Sequence, residues 1–122
     1  MKIVKIVSEE KIEFDNGCVM EGCHYQDCCE CVYADFDILK DYNLSTVTGK
    51  TINIYEIDFA EDIENYIERV EGAGFNIVSR IGEKFFVPCY NIQNGYYSDY
   101  LELIIQNNNK NIAINITGCT KE

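Results

Sequence analysis

Apolar and polar residues alternate along most of the chain, the period of a half-buried β-strand. Ile3 to Val7 reads as a first strand and Lys11 to Asp15 as a short second one. Asp15-Asn16-Gly17 between apolar flanks is a hairpin signal. Cys18 to His24 makes a third strand, with Cys18, Met20 and His24 on one face and Val19, Glu21, Cys23 and Tyr25 on the other. Cys31 to Phe36 follows as a fourth, and residues 37–42 (DILKDY) supply at most one helical turn. Thr51 to Phe59 reads as a strand whose parity changes, Ile52 and Ile54 in one phase and Ile57 and Phe59 in the other. A bulge near Tyr55 or Glu56 accounts for the change. Phe75 to Ile81 and Lys84 to Tyr90 form a hairpin through Gly82. Tyr97 to Ile105 and Asn111 to Thr117 form another through Asn107 to Asn109.

One segment leaves period two. Asp58 and Glu61 resemble a capping box, Ile63, Tyr66, Ile67 and Val70 recur at helical spacing, and Gly72 suits a C-cap. The pattern predicts a helix there, stopping short near Glu68. No internal repeat, linker or low-complexity stretch interrupts the 122 residues. The expectation is one domain, residues 1–122, of α+β class, mainly antiparallel β-sheet with one or two short helices.

Composition adds charge to this outline. The formal net charge is −11, from 21 acids against 10 bases, and the acids concentrate in residues 9–41 and 56–71. There is no basic patch to displace counterions from phosphates, so direct nucleic-acid binding is not expected. The acidic surface serves either solubility alone or docking on a basic partner. The apolar runs are too short to span a bilayer, so no membrane contact is expected. The N-terminal MKIVKIVSEEKIEF alternates and turns acidic at Glu9, which reads as a strand rather than a signal peptide. A cytoplasmic, reducing location follows as the expectation, with all seven cysteines unbridged. Cys89 and Cys119, isolated in strand-like sequence, read as packing residues.

Residues 24–31, HYQDCCEC, hold the sole histidine and three of the cysteines. Cys23, His24, Cys28 and Cys31 offer a ligand set for zinc, though every ligand would come from one short stretch. His24 and Cys28 offer a thiol–imidazole pair, with Asp27 or Glu30 to orient the ring, but acidic surroundings raise a thiol pKa rather than lower it. The remaining readings are a hydrogen-bonded turn capped by Asp27 and a binding site for a small molecule or partner. Residues 94–100, NGYYSDY, form a second unusual stretch. Tyr96, Tyr97 and Tyr100 follow an Asn-Gly turn and bring flat apolar faces with polar tips, suited to interfaces or to stacking on a base.

Together these stretches resemble a group of small uncharacterised proteins of phages and prophages of low-GC bacteria, which carry an H-x-Q-D-C-C-E segment and a later N-G-Y-Y-S segment. The matches are His24, Gln26, Asp27, Cys28, Cys29 and Glu30, then Asn94, Gly95, Tyr96, Tyr97 and Ser98, with VYADF at 32–36 and ITGC at 116–119 also similar. Cys18, Cys23 and Cys31 lie outside the first motif, and PCYNIQ at 88–93 stands where a glycine-rich run is usual. The resemblance implies no particular activity. Its phage setting points to a non-enzymatic binding protein that occupies a host antiviral-defence component, either a basic protein or a signalling nucleotide. The expected ligand-binding set is His24, Asp27, Cys28, Glu30, Asn94, Tyr96, Tyr97 and Ser98, with the two segments meeting at one sheet edge and no cofactor. The alternative is a metal-binding protein or thiol-dependent enzyme centred on His24 and Cys28.

Overall fold

Hairpins build the domain in the order the alternation implies. The computed structural model describes residues 1–23, 32–43, 46–47, 50–51, 53–91 and 101–121. Strands β1 (Ile3–Val7), β2 (Lys11–Phe14) and β3 (Val19–Cys23) form an antiparallel meander. Gly17 takes φ +87° in the β2–β3 turn, a conformation that costs glycine little. After the short β4 (Val32–Ala34) come the two-residue strands β5 (Thr46–Val47) and β6 (Lys50–Thr51), paired with each other. β7 (Ile67–Val70), β8 (Gly74–Val78) and β9 (Lys84–Asn91) are joined by tight turns, as are β10 (Glu102–Asn107) and β11 (Lys110–Asn115).

The strands assort into a five-stranded sheet, β1-β2-β3-β10-β11, and a four-stranded sheet, β4-β9-β8-β7. The inward rows of both sheets belong to one hydrophobic cluster. Ile12, Met20, Leu103 and Ile105 come from the first sheet, and Phe75, Ile77, Phe85 and Val87 from the second. Phe59 joins them, its ring set edge-on to Phe14 of β2 and to Phe85 of β9, at 5.9 Å in each case. Where the sheets approach, small residues are required: a β-carbon on Gly22 of β3 would lie 3.2 Å from that of Ala34 on β4.

The class is α+β and mainly antiparallel, as the period-two pattern implies, but the helical parts differ from expectation. No α-helix forms at 58–70. Ile63–Tyr66 is one 3₁₀ turn, and the chain then enters β7. Ile67 and Val70 are β-branched and pair with Ile77 and Gly74, so ladder hydrogen bonds replace helical ones. Asp58 caps nothing: its carboxylate holds the Met1 amino group at 3.2 Å and the Arg80 guanidinium at 3.0 Å. Gly72, at φ +72°, turns β7 into β8 rather than ending a helix.

Among the described residues, the expected strand from Thr51 to Phe59 is also absent from Asn53 onward. A 3₁₀ turn at Ile54–Glu56, capped by Asn53 accepting from the Tyr55 amide, causes the parity change attributed above to a bulge. Conversely, Phe36–Asn43 is a 3₁₀ helix of eight residues, longer than the single turn expected. Phe36, Leu39 and Tyr42 recur every third residue, the period at which 3₁₀ side chains eclipse. Phe36 and Leu39 are buried, Tyr42 sets its ring on Phe85, and its hydroxyl accepts from the Phe86 amide.

Candidate functional site

His24, Asp27, Cys28 and Glu30, like Asn94, Tyr96, Tyr97 and Ser98, lie outside the described residues, as does Cys31, and Cys23 is described only as backbone. The frame that carries these two segments is described. Cys23 at the end of β3 faces Glu102 at the start of β10, and Val32 at the start of β4 faces Asn91 at the end of β9. Residues 24–31 therefore leave one ladder position and return to another, and residues 92–101 span the partners of those same positions. The expected meeting of the two segments starts from neighbouring tethers.

A second constellation arises where β10, β11 and the 61–66 segment converge. Along β10 the inward positions are Leu103, Ile105 and Asn107, so the alternation that buries two aliphatic side chains also buries an amide. Asn107 is only 9% exposed. Its Nδ2 donates to the Glu61 carbonyl at 2.6 Å, tying the 3₁₀ segment to the sheet, while its Oδ1 has no partner among the described residues. Glu64 Oε2 is likewise shielded and unpartnered. Leaving such a group unsatisfied costs about 1–3 kcal/mol, so two such acceptors around one recess call for an explanation.

Glu64 and Asn107 both contribute to a recess of about 220 Å³ bounded also by Glu61, Asp62, Asn108, Lys110 and Ile112, with the two unpartnered oxygens buried beneath its surface. Glu61 and Asp62 are exposed at its mouth, and Asp62 accepts from the Asn65 side-chain amide at 3.2 Å. Glu64 also acts inward. Burial, and then the Glu64 charge, push the Cys18 thiol up to about 11. Cys89, buried between the sheets, is pushed up to about 12 by burial and then by Cys119. Both are thiols at neutral pH and poor nucleophiles there.

A further acidic group surrounds the start of the Phe36–Asn43 helix. Burial holds the Asp35 carboxyl above its ordinary value, and the charges of Asp37, Glu9 and Asp41 add to the effect. The Asp37 amide, which donates to Asp35 Oδ1 at 3.1 Å, opposes it. Sequence reading missed the recess. Its signals were the acids of 56–71, read only as bulk charge, and an asparagine at an inward strand position, read only as part of a turn. Compared with protein-family models, curated proteins and solved structures, the chain matches none.

Proposed function

We propose that the chain is a small acidic binding protein that acts by occupying a basic partner, without chemistry of its own. The observation that carries this is the state of its acids. Glu9, Glu10, Asp15, Glu56, Glu61 and Asp62 are exposed and make no ion pair among the described residues. Unpaired surface carboxylates at this density repel one another, and a basic partner relieves that repulsion on docking. The phage resemblance directs the choice of partner to a host antiviral-defence component. The segments 24–30 and 94–98 supply further contacts, including the tyrosine faces that would hold a nucleotide-like ligand. Isothermal titration against a host protein co-purified with the chain tests the reading. Affinity falls as salt rises, because exposed charges are screened beyond a Debye length of about 8 Å near physiological ionic strength. An affinity unchanged between low and high salt overturns it.

A further inference from the structure

We propose that the free edge of β11 and the Glu61–Asp62–Glu64 recess form one binding site for an extended, lysine-bearing segment of a partner protein. The segment adds antiparallel to β11 and lowers one ammonium into the recess. The inference rests on the binding function proposed above and specifies where and how the partner is held.

The edge comes first. β11 ends the five-stranded sheet, and among the described residues only β10 pairs with it. The Asn108-Asn109 turn makes Asn107 and Lys110 the first bonded pair, so Lys110, Ile112 and Ile114 exchange hydrogen bonds with β10. The backbone groups of Asn111, Ala113 and Asn115 therefore face away from the sheet, and among the described residues nothing accepts from or donates to them along that edge. Sheet edges are ordinarily blunted by charge, proline or a bulge. Here the run is Lys-Asn-Ile-Ala-Ile-Asn in unbroken register, with one charge at its start. Such an edge is a template for strand addition.

The recess supplies the selectivity. Ile112 lies on β11 with its side chain toward the core side, and it lines the recess. In an added antiparallel strand, the residue opposite Ile112 projects to that same side, in a non-hydrogen-bonded pair where side chains approach most closely. Its side chain then meets the recess lined by Glu61, Asp62 and Glu64. The three carboxylates there are acceptors, and an ammonium has three donors and no acceptor. Among the described residues, Lys110 is the one cation lining the recess. It competes with the incoming ammonium and sets the threshold for binding. A second copy of this chain is the poorer occupant, since each copy carries a formal net charge of −11 and like charges repel.

The test uses the full chain and synthetic probes: an extended peptide alternating lysine with valine, the same peptide with glutamate for lysine, and the lysine peptide N-methylated at alternate backbone nitrogens. The lysine peptide binds and the glutamate peptide does not. N-methylation weakens binding by at least roughly tenfold, equivalent to about 1.4 kcal/mol. Glu64→Gln together with Asp62→Asn produces a similar loss, and Lys110→Ala tightens binding. Equal affinity for the methylated and unmethylated lysine peptides overturns the proposal, because the edge is then unused. Displacement of the peptide by millimolar calcium or magnesium, with either ion binding alone, also overturns it in favour of a metal site. Self-association of the chain through β11 overturns the choice of occupant. Salt-sensitive binding of a host protein that survives both Ala113→Pro and the Glu64/Asp62 double variant overturns this site while leaving the broader binding function standing. The N-methylated peptide decides the matter even if a variant fails to fold.

Discussion

At the scale of single residues, the cysteines show how far burial overrides intrinsic reactivity. Cys18, Cys89 and Cys119 are free and buried. With thiols raised to about 11 and about 12, Cys18 and Cys89 have almost no thiolate at neutral pH. Alkylation with iodoacetamide at about pH 8, followed in time by mass mapping, will leave both unmodified in native protein and label both once it is denatured. Replacing Glu64 by Gln removes a negative charge near Cys18, so its thiol pKa falls without becoming ordinary, because burial is the larger cause. Labelling of Cys18 at the rate of an exposed thiol in the native parent protein would contradict this environment. The same accounting applies to Asn107, where one amide nitrogen is satisfied and one amide oxygen is not.

At the scale of elements, turn chemistry decides register. Asn108 and Asn109 sit at φ 49° and 65°, the left-handed pair that a two-residue hairpin turn demands. Asparagine tolerates this region, glycine better still, and β-branched residues poorly. Asn109→Gly will therefore leave stability unchanged or raise it slightly. Asn109→Val will lower it by about 1–2 kcal/mol, read from the urea midpoint at constant slope. Equal midpoints for the two variants would mean the turn does not hold the β10–β11 register. That register matters beyond stability, because it sets which backbone groups of β11 face outward. The 61–70 segment gives the opposite lesson. Its apolar spacing fits a helix, yet Ile63 enters the core from a 3₁₀ turn and the half-buried Ile67 packs against that core from a short edge strand.

At the scale of the whole molecule, charge governs how stability depends on pH. The Asp58 carboxyl is held below its ordinary value by its hydrogen bond to the Met1 amino group, with Arg80 adding to the effect. Glu68 is lowered by Lys84 and then by Asn76. A lowered carboxylate contributes stability above its unfolded pKa and loses it as pH falls through the folded value. Asp35 has the opposite sign: its raised value means that the folded state holds that proton more tightly, so its charge destabilises at neutral pH. Asp58→Asn will accordingly lower the melting temperature at pH 7, with the deficit shrinking as pH falls through the lowered value. Asp35→Asn keeps an oxygen to accept from the Asp37 amide and will raise the melting temperature at pH 7, the gain fading as pH falls through the raised value. Thermal melts across the acid range check both, and shifts of the same sign for the two variants would refute the assignment.

The sequence by itself determined the sheet-dominated fold, the β2–β3, β8–β9 and β10–β11 hairpins, and the face of β3 that Met20 shares with Cys18. Period-two alternation and turn residues are local signals, and each hairpin satisfies its own backbone hydrogen bonds between neighbours in the chain. It also determined the excess of acid and the composition of the two motif segments. Only the tertiary structure decided that residues 61–70 become a turn and a strand, because β8 was present to pair with them. Only the tertiary structure joined β3 to β10 and β4 to β9, which sets the tethers of the two motif segments side by side. It alone brought Glu64 of one segment and Asn107 of another into one recess beside an open strand edge. Contacts between positions far apart in the chain leave no periodic trace, since their energy depends on which surfaces meet and not on spacing along one strand.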